Sequence, residues 1–179
     1  LLKKNPGSTI LYNLICSKAV PELVKSLGGI PIRTRVGHAL IKPLMREHNA
    51  IFGGEHSGHF YFRDNWFADS GLIALLVCLE LISEANMPLS SQVSQFDHYV
   101  RSGEINSKVN DISDRLNKIE SIFSDGKIDK IDGITVEYKD WWFNVRASNT
   151  EPLIRLNVEA DNRELLDKMT EKVLSVIRG

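Results

Sequence analysis

The chain contains little cysteine and no long apolar run. Its 179 residues include two cysteines, Cys16 and Cys78, which excludes a disulfide-rich secreted domain and favours buried thiols in a reducing compartment. The longest apolar stretch, residues 72–79, is interrupted by Glu80. It is far short of the roughly 20 residues that a membrane-spanning helix needs. We therefore expect these residues to form part of a buried helix.

The chain also lacks an excess of charge of either sign. It has 22 Lys and Arg residues against 23 Asp and Glu residues, a formal net charge of −1, so no broad basic surface is available for nucleic acid or anionic lipid. Hydrophobic residues make up 42% and charged residues 25% of the chain, which is typical of a globular protein. No signal segment led by Lys or Arg opens the chain. These features predict a soluble, cytoplasmic protein that binds neither nucleic acid nor membrane.

The chain does not begin with methionine. Residues 1–4 (Leu-Leu-Lys-Lys) are followed by a turn-prone Asn-Pro-Gly at residues 5–7, a pattern typical of the end of a helix. We expect the beginning of that helix to be missing, and the chain to be one part of a longer protein.

The first half of the chain alternates between strand and helix patterns. Short apolar runs predict strands, and apolar residues three or four positions apart predict helices. This alternation is typical of βαβ units in a layered, mixed α/β domain. The Pro-marked polar residues 87–95 predict a linker, which leaves a first domain over residues 1–86. The predicted strands are 9–15, 30–35, 50–52 and 60–62, and the predicted helices are 18–27, 39–47 and 72–84.

The second half contains two helix patterns and several strand patterns. Asp161 and Glu164 form a capping box at the start of the last helix. The aspartates between residues 125 and 132 lack the spacing of an EF-hand loop and predict a solvated turn. This order predicts a small antiparallel-sheet α+β domain over residues 96–179. Its predicted strands are 96–101, 105–109, 134–138, 141–146 and 153–159, and the first of its helices is 111–124.

A polar loop, residues 146–152 (RASNTEP), lies between two of these strands. Hydroxyl, amide and free backbone N–H groups beside a guanidinium are typical of a nest that binds phosphate. The alternative is an ordinary polar turn in which Arg146 pairs with a neighbouring carboxylate. The candidate phosphate ligands are Arg146, Ser148, Asn149 and Thr150.

A second polar loop, residues 53–59 (GGEHSGH), directly follows a predicted strand. Its glycines allow a ligand to approach the backbone closely, and Glu55 and Ser57 can bind vicinal hydroxyls of a sugar. His59 can transfer a proton near neutral pH. A metal site formed by Glu55, His56 and His59 is one alternative, although the spacing is not that of a zinc protease helix. A purely structural loop is the other.

Two further polar residues follow predicted strands. His38 comes after Gly37, and Lys18 comes shortly after Cys16. Loops of this kind gather at one edge of an α/β sheet and form its ligand crevice. A lone histidine is more often structural than functional. His38 is a candidate only because it shares an edge of the sheet with the Glu55 loop.

Together, the two loops resemble those of the α-D-phosphohexomutase family, specifically the C-terminal half of its bacterial phosphomannomutase/phosphoglucomutase branch. Residues 54–59 are similar to the family's sugar-recognition loop, G-E-x-S-G-H, and residues 146–152 to the phosphate-binding loop of its last domain. Residues 35–38 resemble a loop that precedes a helix in the third domain. The resemblance covers essentially the whole chain. It implies that residues 1–86 are family domain 3, with its start missing, and that residues 96–179 are family domain 4.

The resemblance implies an enzyme that interconverts the 1- and 6-phosphates of a hexose, mannose or glucose or both. The reaction would pass through a phosphoserine and a bisphosphorylated sugar, with Mg²⁺ in the full-length enzyme. Glu55 and Ser57 would hold sugar hydroxyls, and His38 and His59 would line the catalytic cleft, with His59 as the proton shuttle. The phosphate that is not reacting would be held by Arg146, Ser148, Asn149 and Thr150.

Two features of the family do not occur in this sequence. The serine loop of the type T-A-S-H-N and the metal loop D-G-D-G-D-R are absent, and the resemblance places both in the first two domains. Ile15 also stands where some relatives carry a basic residue. Because phosphoryl transfer needs the nucleophile and the metal, we expect the chain alone to be inactive and to act with N-terminal domains of the same protein. A non-catalytic sugar-phosphate-binding module and a structural or partner-binding piece are the alternatives.

Overall fold

A computed structural model describes residues 1–148 and 151–179, apart from the side chain of His38. The chain divides into two compact units, Leu1–His98 and Tyr99–Gly179. We call them the N-terminal unit and the C-terminal unit. Within the segment predicted as a linker, the structure has a short helix, Leu89–Ser94.

The N-terminal unit is built on a five-stranded mixed sheet. The strand formed by Thr9–Asn13 is parallel to both of its neighbours, and the last two strands of the sheet are antiparallel additions. The elements are β1 (Thr9–Asn13), α1 (Ala19–Ser26), β2 (Ile30–Thr34), α2 (His38–Glu47), β3 (Phe52–Gly54), β4 (Phe60–Phe62), a 3₁₀ turn (Arg63–Asn65), β5 (Ala68–Asp69), α3 (Gly71–Glu84) and α4 (Leu89–Ser94). The strand order in the sheet is β2-β1-β3-β4-β5.

Helix α2 packs closely on the sheet, and this contact positions the polar loop after β3. Ile41 and Met45 on α2 are fully buried against Leu11 of β1 and Tyr61 of β4. A Cβ atom at Gly53 would lie 3.0 Å from the Ile41 side chain and 3.1 Å from the Met45 sulfur. Glycine at this position therefore lets α2 approach β3.

Helix α3 departs from the expectation of burial. Ser70 caps it as its position suggests, since its Oγ accepts a hydrogen bond from the backbone N–H of Ile73 at 3.2 Å. However, the side chains of Leu72 and Leu76 are 68% and 58% exposed. The helix is apolar on nearly all sides, so packing against one surface leaves other leucines in solvent. Among the described residues, no helix is long and apolar enough to cross a membrane.

The C-terminal unit is an antiparallel sheet with two helices. The elements are β6 (Val100–Lys108), α5 (Ile112–Ile122), β7 (Lys127–Asp129), β8 (Ile134–Glu137), β9 (Trp141–Ala147), β10 (Leu153–Ala160) and α6 (Arg163–Arg178). The strand order in the sheet is β6-β10-β9-β8-β7.

Three details of this unit differ from the sequence-based expectations. One strand, β6, replaces the two predicted between residues 96 and 109, because a bulge near Gly103 (φ 70°) lets the strand continue. A strand, β7, forms within the segment predicted as a solvated turn. The cap of α6 is Asn162 rather than Asp161, with its side chain accepting from the N–H of Leu165 at 2.9 Å.

The two faces of the C-terminal sheet have different chemistry. Alternate residues of β9 and β10, including Phe143 and Leu156, are fully buried in the core with α5 and α6. Four of the residues between them are polar and almost fully buried, namely Asn144, Arg146, Asn157 and Glu159. Because side chains alternate along a strand, Arg146 projects on the face opposite the helices.

Candidate functional site

The first candidate loop is the hairpin between β3 and β4. The Glu55 N–H donates to the carbonyl of His59 at 2.9 Å, and the Gly58 N–H donates to the carbonyl of Glu55 at 3.0 Å. Gly58 has φ 88°, a conformation that glycine adopts without strain. Ser57 and His59 are exposed, so both can reach a ligand in solvent.

Glu55 joins this hairpin to the loop before α2. It is only 6% exposed, and its Oε1 accepts from the backbone N–H of Gly37 at 3.1 Å. Its Oε2 accepts from the Tyr61 hydroxyl at 2.9 Å. Burial raises the pKa of Tyr61, and Glu55 raises it further, so the phenol remains a proton donor. The structure thus brings the backbone of Gly37 and the start of α2 next to the hairpin, whereas the side chain of His38 lies outside the described part.

Asn13, at the end of β1, stabilises the hairpin through a hydrogen bond to its backbone. It is fully buried, and its Oδ1 accepts from the His56 N–H at 3.4 Å and from the Cys16 thiol at 3.0 Å. Its Nδ2 is buried without a hydrogen-bond partner among the described residues. The sequence signals pointed to none of these roles for Asn13 or Tyr61, although both lie on predicted strands.

His59 forms a close pair with Asp69 of β5. His59 Nδ1 lies 2.6 Å from Asp69 Oδ2, and Asp69 Oδ1 accepts from the Phe60 N–H at 2.9 Å. The hydrogen bond to Asp69 and its charge raise the pKa of His59. Burial alone would raise the pKa of Asp69, but the bonds from His59 and Phe60 outweigh it and the pKa is lowered. The pair is therefore charged at mildly acidic pH.

A metal site at this hairpin finds no support in the geometry. Among the residues the structure describes, no group of three or more His, Cys, Asp or Glu side chains could hold a metal ion. Magnesium, which the family resemblance implies for the full-length enzyme, has no ligand set in that part of the chain. We therefore assign no step of a reaction to it.

The second candidate site lies at the end of β9. Arg146 is 8% exposed, and its Nη2 donates to Glu104 Oε2 at 3.0 Å. Arg155, opposite Arg146 in the β9–β10 ladder, places its Nη1 3.2 Å from Glu104 Oε1. Its Nη2 donates to Ser148 Oγ at 3.3 Å. Two guanidinium groups therefore share one carboxylate beside the loop.

This geometry combines both interpretations of the loop. Arg146 pairs with a carboxylate, as the plain-turn alternative predicts. Arg155 adds a second cation that no sequence motif indicated. The Nε atoms of Arg146 and Arg155 are buried and have no hydrogen-bond partner among the described residues. Asn149 and Thr150 lie outside the described residues.

Both units match models of one protein family. Residues 1–99 match phosphoglucomutase/phosphomannomutase, alpha/beta/alpha domain III, and residues 104–176 match phosphoglucomutase/phosphomannomutase, C-terminal domain. The chain belongs to the phosphoglucomutase/phosphomannomutase family. The family and the fold class that the sequence indicated are thereby confirmed.

Individual members of the phosphoglucomutase/phosphomannomutase family are similar along the whole chain. A phosphomannomutase of Methanocaldococcus jannaschii is 44% identical over 99% of the chain, which is 39% of that relative. A phosphoglucomutase/phosphomannomutase family protein of Burkholderia thailandensis has a structure with TM-score 0.85 and 31% identity, covering 99% of the chain and 38% of that protein. N-acetylphosphoglucosamine mutase of Aspergillus fumigatus, in complex with GlcNAc-6P and magnesium, shares the fold (13% identity, TM-score 0.66, 96% of the chain and 39% of that protein). The chain spans about two fifths of the length of the relatives it matches.

Proposed function

We propose that this chain is part of a phosphohexomutase that interconverts the 1-phosphate and 6-phosphate of mannose, glucose or both. The reaction would proceed through a phosphoserine and a bisphosphorylated hexose, which also serves as activator. The observation that carries the proposal is that each family-matched unit presents one of the two predicted ligand loops, the Glu55 hairpin and the Arg146 strand end.

The Glu55 hairpin is proposed to bind the sugar. Ser57 is exposed at its tip and can donate to or accept from a hydroxyl. Each oxygen of Glu55 accepts one hydrogen bond within the unit, and a carboxylate oxygen has a second lone pair for a sugar hydroxyl. His59 would take the proton from the hydroxyl that attacks the phosphoserine and return it in the reverse direction. His38 is proposed as a second histidine of the same cleft.

The Arg146 loop is proposed to bind the phosphate that does not react. Ser148 would donate its hydroxyl, and Asn149 and Thr150 would add an amide and a second hydroxyl. Arg155 adds one residue to the ligands that the motif suggests, because its guanidinium already contacts Ser148 at 3.3 Å. A guanidinium is well suited to this role, since it can donate two parallel hydrogen bonds to phosphate oxygens.

The nucleophile and magnesium are proposed to come from N-terminal domains of the full-length protein. A surface that such domains could cover is present, because Leu72, Leu75 and Leu76 of α3 are more than half exposed. Groups of exposed apolar side chains mark interaction surfaces, whereas single exposed apolar residues are common on any protein surface. The alternative function is a non-catalytic sugar-phosphate-binding module, which would bind through the same loops without turnover.

We also propose a cytoplasmic location. Neither Cys16 nor Cys78 forms a disulfide, and Cys78 is exposed. Exposed free thiols are typical of a reducing compartment.

Phosphorus NMR of the full-length protein with mannose 1-phosphate or glucose 1-phosphate tests the proposed function. We expect Mg²⁺-dependent conversion to the 6-phosphate, and none with the 179-residue chain alone. Replacing Arg146 by alanine removes hydrogen bonds to the phosphate, and hydrogen bonds to a charged group contribute about 1.5–3 kcal/mol. The affinity for the hexose phosphate should therefore fall roughly 10- to 150-fold. Arg163, 68% exposed on α6, provides the matched control, and Arg163→Ala should change affinity little. Binding without turnover by the full-length protein would favour the non-catalytic module.

A further inference from the structure

Asp69 is the closest polar neighbour of the His59 ring in the described hydrogen bonds. It lies outside both loops that carry the family resemblance, ten residues after His59. Its Oδ2 is 2.6 Å from His59 Nδ1 and its Oδ1 is 2.9 Å from the backbone nitrogen of Phe60. Both oxygens of the carboxylate are therefore used to join β5 to the residue at the end of the hairpin.

The backbone around Asp69 keeps this carboxylate in place. Asp69 pairs with Tyr61 in the β4–β5 ladder. The next residue, Ser70, donates its N–H to the Phe60 carbonyl at 2.9 Å and caps α3 with its side chain. A strand pair on one side and a helix N-terminus on the other leave the carboxylate little freedom to move away from the imidazole.

The contact determines which nitrogen of His59 carries the proton. An ionised carboxylate can only accept hydrogen bonds, so the facing nitrogen, Nδ1, must be the N–H donor. In the neutral ring the other nitrogen, Nε2, then bears the lone pair. We propose that Asp69 is a positioning residue that holds His59 in the Nδ1–H form and so makes Nε2 the atom that takes the proton from the sugar hydroxyl. The catalytic part of this proposal rests on the proposed function.

Other charged groups near the pair do not oppose this arrangement. Glu55 raises the pKa of His59 in the same direction as Asp69 does. Lys42 of α2 helps to lower the pKa of Asp69. The centroid of the Tyr61 ring lies 6.5 Å from that of His59. The Tyr61 hydroxyl keeps its proton because burial raises its pKa. The surroundings thus favour an ionised Asp69 beside a histidine that protonates more readily than usual.

Asparagine at position 69 should move the proton to the other nitrogen. The Phe60 N–H is a fixed donor, so the amide oxygen should face it and the amide NH₂ should face His59 Nδ1. That nitrogen must then accept, which places the proton on Nε2. In the Ser-His-Asp triad the same exchange of Asp for Asn yields the wrong histidine tautomer and a large loss of activity.

Nitrogen-15 NMR of the histidine rings in the 179-residue chain tests the positioning role without any enzymatic assay. In the wild-type chain at high pH, Nδ1 of His59 should be protonated and Nε2 should not, and the His59 pKa should lie above 6.5. In Asp69→Asn the proton should be on Nε2 and the pKa should fall. Asp64, 89% exposed and paired with Arg63, is the matched control, and Asp64→Asn should leave the His59 signals unchanged.

An Nε2–H tautomer in the wild-type chain, or identical His59 signals in Asp69→Asn and the wild type, would overturn the positioning role. If Asp69→Asn does not fold, the wild-type tautomer alone decides. In the full-length enzyme, Asp69→Asn should lower kcat by about 10²- to 10⁴-fold, the usual range for general acid–base catalysis, and should shift the pH profile. The predicted tautomer together with an inactive wild-type enzyme would refute the proposed function and leave the role of Asp69 towards His59 intact.

Discussion

Replacing Tyr61 with phenylalanine removes one oxygen atom from the interior of the N-terminal unit. The hydroxyl donates to Glu55 Oε2 at 2.9 Å, and Tyr61 and Glu55 are 0% and 6% exposed. Because Tyr61 is fully buried, water cannot take the position of its lost hydroxyl. Hydrogen bonds to charged groups contribute about 1.5–3 kcal/mol, and the side-chain volume hardly changes. We expect Tyr61→Phe to destabilise the unit by an amount in this range.

The effect should appear first at Gly37. Its N–H donates to the other oxygen of Glu55 at 3.1 Å, so a less firmly held Glu55 should release it. Because two compact units need not unfold together, amide hydrogen exchange read peptide by peptide is a better assay than a single melting curve. A loss of about 1.5–3 kcal/mol corresponds to roughly 10- to 150-fold faster exchange at Gly37.

Tyr138 provides the matched control. Its hydroxyl donates to Asp125 at 2.7 Å, but this carboxylate is exposed, so water can take over the hydrogen bond. Tyr138→Phe should cost about 0.5 kcal/mol, the lower end for a hydrogen bond. If Tyr61→Phe costs no more than Tyr138→Phe, or leaves exchange at Gly37 unchanged, the structural role assigned to Glu55 is wrong.

Three further predictions follow from individual contacts. The His59–Asp69 pair stabilises the fold fully between about pH 4 and 6.5. This contribution is lost as the pH rises through the raised pKa of His59 or falls through the lowered pKa of Asp69. The urea midpoints of the wild type and Asp69→Asn should therefore converge outside this pH window. Gly133→Ala should lower the free energy of unfolding by about 2 kcal/mol or more. Gly133 has φ 66°, and a Cβ atom there would lie 2.7 Å from the Cα of Arg146 on β9. Gly103→Ala, with φ 70° but nothing within 4 Å, should cost only about 1 kcal/mol by the same urea titration. Arg155→Ala should weaken the binding of inorganic phosphate by roughly tenfold in a calorimetric or NMR titration, and unchanged affinity would remove Arg155 from the site.

Local patterns in the sequence were sufficient for most elements and for both loops. The glycines of the Glu55 hairpin, the cap at Ser70 and the turn at Gly133 each depend on backbone chemistry within a few residues. Gly133 indeed has φ 66°, a conformation that the Asp-Gly pair favours. Short-range determinants of this kind can be recognised without knowing the partner segments.

The partners of the site residues could not be found in this way. Asp69, Tyr61 and Arg155 reach the loops through strand pairing, as in the Arg155–Arg146 register. The alternation along a strand indicates which face a side chain occupies, but not which residue of the neighbouring strand lies opposite it. The pairing of Arg146 with Glu104, 42 positions apart, is of the same kind.

The exposure of α3 shows a second limit to what can be predicted from the sequence. Its apolar composition indicates that the helix is suited to burial, and an apolar face can be covered by the same unit or by another surface. Composition does not distinguish these cases. The leucines of α3 are exposed in the described chain, which is why the expectation of a buried helix was wrong here.

The most direct test of the central claim is to ask whether one phosphorylated hexose engages both loops. Backbone and arginine side-chain NMR signals of the chain would be followed during titration with glucose 1,6-bisphosphate and, separately, with inorganic phosphate. We predict that inorganic phosphate shifts signals only around residues 146–155, whereas the bisphosphate shifts these and residues 55–59 with one common affinity. Shifts from the bisphosphate that never reach residues 55–59, at concentrations that saturate residues 146–155, would contradict the claim.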